Sequence, residues 1–198
     1  MRLVIVALLA LPGLVLPGCA KGSGQADQGN ADRAAPAAPA LGGPPGAPVT
    51  GILDRSHAGS PAPDLAFENG EGERISMAAY RGRPVLVNLW ATWCGPCVIE
   101  MPSLDALAVR EGDSLQVVAL SQDIGGRELV TRFFAERDFK ELEANLDAEM
   151  GFMTELKLGT LPTTILYDAE GKEVWRMVGR ADWQSERVAR LLDEAEAG

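Results

Sequence analysis

The chain has 198 residues, a formal net charge of −10 and a sequence pI of about 4.6. It carries no Lys/Arg-rich run, which excludes a nucleic-acid partner on electrostatic grounds. Three cysteines and one histidine leave little material for a metal centre.

Arg2 is followed by Leu3 to Leu16, 14 residues without a charge. That is short for a span, which needs ~20 apolar residues, and it fits the apolar core of an export signal over residues 1–18. The segment ends in Leu16-Pro17-Gly18-Cys19, which resembles the lipobox of bacterial lipoproteins. The resemblance implies acylation of Cys19 and residence in the bacterial cell envelope, facing the periplasm or the outside. Lipidation also accounts for an odd cysteine in an exported chain. Residues 20–62 hold 11 Ala, 8 Gly and 6 Pro with few large apolar side chains. Such a segment cannot bury enough surface to offset its ordering entropy. Residues 19–62 are therefore expected to form a disordered tether, with a reach of ~33–39 Å. His57 falls within it.

From residue 63 to 198 the composition is that of one globular domain. Asp64 to Glu68 reads as a weak strand. Asn69-Gly70-Glu71-Gly72 reads as a turn into a second strand, Arg74 to Met77. Val85 to Trp90 is a near-continuous apolar run, the pattern of a strand buried on both faces. Gly95 to Arg110 places Val98, Met101, Leu104, Leu107 and Ala108 at helical spacing. Leu115 to Leu120 is a second buried strand. Arg127 to Arg137 and Ala148 to Leu156 read as helices, with a short strand at Asn145-Leu146 between them. Thr163 to Tyr167 and Glu173 to Val178 flank the turn Asp168-Ala169-Glu170-Gly171 as an antiparallel pair. Ser185 is the N-cap of a last helix, with Val188, Leu191, Leu192 and Ala195 as its apolar stripe. The expected fold is α/β: a mixed sheet with helices on both faces.

Between the first buried strand and its helix stands Trp93-Cys94-Gly95-Pro96-Cys97. Unsatisfied N–H groups and the helix dipole stabilise a thiolate at Cys94. Cys97 lies one turn on, placed to resolve a mixed disulfide. Pro96 suits a first helical turn, and Gly95 leaves the approach to sulfur open. Cys94 is expected to be the exposed, attacking thiol. A zinc site would want a second such pair or histidines.

Val85–Cys97 resembles the active-site segment of thioredoxins. Asn88-Leu89-Trp90-Ala91-Thr92-Trp93-Cys94, Glu100, Leu158–Thr164 and Tyr167–Gly171 resemble the TlpA/ResA/CcmG branch. The resemblance runs over about residues 62–192. It implies a thioredoxin-like fold with an N-terminal β-hairpin and an inserted αβ element. It implies a membrane-anchored, extracytoplasmic thiol–disulfide oxidoreductase without cofactor, expected to be monomeric. Its partners would be client proteins with disulfides or cysteine pairs, such as apocytochrome c or copper-site proteins. Electrons would come from a membrane donor, as the chain has no nicotinamide or flavin motif. Pro162 maps onto the family's cis-proline. Thr160, Leu161 and Pro162, with Trp93, Gly95 and Pro96, would contact the client, Leu161 by its backbone. Asn88 replaces the buried Asp of many thioredoxins and cannot take up a proton. Glu100, three residues after Cys97, is the expected proton acceptor and donor, with a raised pKa.

Direction follows the Gly-Pro pair: thioredoxin is reducing, at about −270 mV. Two other readings are weighed. A peroxiredoxin-like peroxidase expects Thr three residues before the reactive Cys, and Thr92 is two before. A copper-binding chaperone expects a distant His on the domain.

Overall fold

A computed structural model describes residues 51–195. Its sheet has the strands β1 (Ile52–Asp54), β2 (Ala66–Glu68), β3 (Arg74–Ser76), β4 (Val85–Trp90), β5 (Gln116–Ser121), β6 (Asn145–Leu146), β7 (Thr163–Tyr167) and β8 (Glu173–Val178). The helices are α1 (Gly95–Glu111), α2 (Arg127–Ala135), α3 (Gly151–Glu155) and α4 (Glu186–Leu192). In space the strands run β1-β8-β7-β4-β5-β6-β2-β3. β4 pairs parallel with β5 and antiparallel with β7, and β2–β3 is the expected hairpin.

Every residue of β4 is buried, because the sheet is covered on both sides. Alternation divides its side chains between two cores. Leu86 and Trp90 face α1, α2 and α4, through residues such as Met101, Phe133 and Val188. Val85, Val87 and Leu89 face Phe67, Met77 and, on α3, Phe152. Trp90 is an anchor of the first core, with ring centroids 4.8 Å from Phe133 and 5.9 Å from Phe134. Trp175 and Trp183 are fully buried as well.

The ordered domain begins earlier than the sequence suggests. Residues 51–62 belong to the fold, although they lie within the stretch 19–62 read as disordered. β1 adds to the edge of β8, Ile52 opposite Val178 and Asp54 opposite Arg176. The chain continues along β8, exchanging backbone bonds between Gly59, Ser60 and Glu173 and between Ala62 and Gly171. Pairing with an open sheet edge supplies what the apolar content does not: Ile52 is 72% exposed. Residues 1–50, and with them the signal segment and Cys19, lie outside the described residues. Among the described residues no helix is long and apolar enough to cross a membrane.

A buried carboxylate closes the loop that follows α2. Asp105, on α1, accepts the backbone N–H groups of Lys140, Glu141 and Leu142, each at 3.0 Å. Asp105→Ala strands all three donors. It is expected to cost about 2–3 kcal/mol, the scale of hydrogen bonds to a charged group. Urea unfolding of the two proteins checks this, and an unchanged midpoint would contradict it.

Candidate active site

β4 delivers the chain to the dithiol. After Trp90 the backbone turns through Ala91–Trp93, with Cys94 N–H donating to Ala91 O at 3.0 Å. Cys94 is the N-cap of α1, in extended conformation, and Pro96 sits in the first turn. Cys94 and Cys97 are joined as a disulfide, their Cα atoms 5.3 Å apart. The Cys97 N–H points back at Cys94 Sγ, 3.3 Å away. That is the donor a thiolate would use at a helix N-terminus. Cys94 is less open than expected, at 6% exposure, but Cys97 is sealed completely. Around them Trp93, Gly95 and Pro96 are exposed, Trp93 to 68%. A Cβ at Gly95 would meet nothing within 4 Å, so the approach there is open.

Register carries the second loop to the same end of the sheet. Thr163 opposes Leu89, which sets Thr160–Pro162 beside the exit of β4. The Leu161–Pro162 peptide is cis. Leu161 is half-buried against the core that contains both cysteines, and Thr160 is exposed. No hydrogen bond of the Leu161 backbone falls among the described residues.

Glu100 lies on α1 three residues after Cys97 and is 1% exposed. Asn88 Nδ2 donates to its Oε1 at 2.8 Å, and Ala181 N–H donates to its Oε2 at 2.9 Å. Burial raises its pKa to about 7. The Ala181 and Asn88 donors oppose that rise, as do the Trp183 indole and the Arg180 charge. The indole completes no hydrogen bond of ordinary geometry. Asn88 Nδ2 also donates to Thr164 Oγ1 at 2.8 Å, joining β4, β7 and α1 in one buried network.

His57 is exposed and far along the sheet. β1 leaves the sulfur-bearing end at Ile52, opposite Val178, and heads toward Glu173 at the other end. The Thr92 hydroxyl donates to Asp123 Oδ1 at 2.8 Å, and its N–H to Asp123 Oδ2 at 2.9 Å. Asp123 is a site residue the sequence reading missed. A signal was available: Ser121-Gln122-Asp123 are three polar residues at the carboxyl end of a buried strand.

Residues 57–192 match the Redoxin family. The chain is 34% identical over 115 residues to the thiol-disulfide oxidoreductase ResA of Geobacillus thermodenitrificans, covering 58% of this chain and 65% of that protein. The match thus spans a little under two thirds of the relative's own length. Among solved structures, a thiol:disulfide interchange protein DsbE from Chlorobium tepidum superposes with a TM-score of 0.62 at 24% identity, covering 70% of this chain and 97% of that one. A thiol-disulfide oxidoreductase from Bacteroides vulgatus gives 0.60 at 26% identity, covering 70% and 96%. The domain has a thioredoxin-like α/β fold, and the chain belongs to the Redoxin family.

Proposed function

We propose that the protein is a membrane-tethered, extracytoplasmic thiol–disulfide oxidoreductase that reduces disulfides of client proteins. The observation that carries this is the Cys94–Cys97 pair at the start of α1, Cys94 keeping 6% exposure and Cys97 fully buried one helical turn before the buried Glu100. In the reduced protein the Cys94 thiolate attacks one client sulfur, forming a mixed disulfide and releasing the other as a thiolate. Cys97 then attacks Cys94 Sγ. The mixed disulfide breaks, the Cys94–Cys97 bond forms, and the second client sulfur leaves. Two electrons and two protons pass to the client. Glu100 accepts the Cys97 proton in the second step. A dithiol protein of the membrane restores the pair by the same exchange in reverse.

The Thr160–Pro162 loop and Trp93, Gly95 and Pro96 form the contact surface for the client. The Leu161 backbone, which has no hydrogen bond among the described residues, supports pairing with an extended segment. Tethering through Cys19 rests on the leader sequence alone. The peroxidase reading draws no support from Thr92, whose hydroxyl and N–H are both committed to Asp123. The copper reading draws none from His57, at the far end of the sheet.

A titration of the Cys94/Cys97 couple against glutathione and dithiothreitol buffers tests the direction. A midpoint near about −270 mV is the expected result, and one near about −120 mV marks an oxidant instead.

A further inference from the structure

Asp123 is a buried acid at the sulfur-bearing end of the sheet to which thiol exchange gives no task. It follows β5, whose last residue, Ser121, stands opposite Trp90. Its Oδ2 accepts the Ser121 hydroxyl at 2.7 Å as well as Thr92 N–H, and its own N–H returns to Ser121 Oγ at 3.1 Å. One residue earlier, Gln122 N–H donates to Trp90 O at 2.8 Å. The segment between β4 and Cys94 is thus stitched to the turn after β5. Asp123 is only 1% exposed, so these bonds are made out of water, where a mismatched partner is costly.

The residues on either side of this stitch are unlike their surroundings. Trp93 follows Thr92 and is 68% exposed; Ile124 follows Asp123 and is 79% exposed. Trp93 directly precedes Cys94, and Gly95 and Pro96 directly follow it, all three exposed and uncharged on a chain of net charge −10. These residues bracket Cys94, and the Thr92–Asp123 bonds tie the turn that carries Ile124 to the same segment.

We propose that Asp123 is a positioning residue for client docking. Through Thr92 it fixes Trp93, and through its own turn it fixes Ile124, as a paired apolar rim for an extended client segment with an apolar side chain beside its cysteine. This rests on the reductase reading above.

The test uses Asp123→Asn, Thr92→Val and their double variant, with Thr92→Ser as the conservative control that keeps the hydroxyl. Two readouts are taken on the 198-residue chain. Amide hydrogen exchange at Thr92, whose N–H Asp123 accepts, is expected to quicken about tenfold in Asp123→Asn, the scale of one lost charged bond, while β4 and β5 hold their protection. The reduced protein is then given two disulfide peptides, one with Leu and one with Ser beside the cysteine. For the Leu peptide kcat/KM is expected to fall about tenfold, through KM, in Asp123→Asn and in Thr92→Val. The fall for the Ser peptide is expected to be under about threefold, and the double variant to be no worse than either single one. Thr92→Ser should behave as the parent. Unchanged exchange overturns the clamp. Equal losses on both peptides overturn the docking role. If Asp123→Asn does not fold, Thr92→Val and Thr92→Ser decide by the same criteria. A parent protein that reduces neither peptide removes the reductase reading and the docking role with it, while exchange alone still decides the clamp.

Discussion

Cys97→Ser is expected to arrest the reaction at a mixed disulfide joining Cys94 to the client, whereas Cys94→Ser is expected to lose exchange by at least about a thousandfold. The asymmetry comes from burial. Cys94 keeps a small exposure, 6%, through which a client sulfur can approach, whereas Cys97 has no exposure at all. Electrostatics agree. Cys94 is the N-cap of α1, where free N–H groups concentrate and the helix carries about half a positive charge. The Cys97 N–H already points at Cys94 Sγ. Cys97 itself lies inside the first turn, against Met101 and Trp90 in the apolar core, where a thiolate is disfavoured until it has a target sulfur beside it. Removing Cys97 leaves the first attack intact and deletes the second. Non-reducing electrophoresis and intact mass of Cys97→Ser with a disulfide peptide would show the adduct, and thiol release would show one equivalent per protein. Steady turnover by Cys97→Ser, or an adduct formed by Cys94→Ser in its place, would reverse the assigned order.

How much of this is legible in the sequence depends on how local each cause is. β4 and β5 read as apolar runs because both faces are covered, and the β7–β8 turn is written in Asp168–Gly171. β1 does not read, because its three residues form a strand only by virtue of the vacant edge of β8. The start of α3 fails for a related reason. The sequence allows a helix from Ala148, but Met150 takes a left-handed conformation, with φ of 53°. The Asp147 carboxylate then caps the N–H groups of Gly151 and Phe152, at 3.0 and 2.8 Å, so the helix begins at Gly151. In the site, the dithiol and its helix lie within one short segment and are plain in the sequence. Spacing alone puts Glu100 on the face of Cys97, but its depth depends on Asn88 from β4 and on Ala181, 81 residues later. The link from Thr92 to Asp123 crosses 31 residues and becomes visible only when β4 and β5 lie side by side in register.

Glu100→Gln is expected to flatten the pH dependence of both the reaction and the fold. Burial holds the Glu100 carboxyl protonated up to about pH 7, against about 4.5 for an exposed glutamate. Below pH 4.5 the folded and unfolded chains both keep the proton, and the group contributes nothing. As pH rises from there toward 7, the unfolded chain gives up its proton while the folded chain cannot. Stability therefore falls across that window and levels off above it, by at most on the order of 3 kcal/mol. Glutamine carries no proton to lose. Its oxygen can still accept Ala181 N–H, and once Asn88 turns its amide the glutamine Nε2 can donate to Asn88 Oδ1, which is buried without a partner in the parent. The variant should thus match the parent near pH 4.5 and exceed it at pH 8. Urea unfolding at the two pH values measures this, and parallel curves for the two proteins would refute the titration. The reaction should move the other way. With an ionised Glu100 to take the Cys97 proton, resolution of the mixed disulfide quickens as pH rises through about 7. Without it, that step should slow by about a hundredfold at pH 7 and lose its inflection there. A variant that gains stability at pH 8 yet resolves with the parent's rate and inflection would leave Glu100 a buried acid with no part in the chemistry.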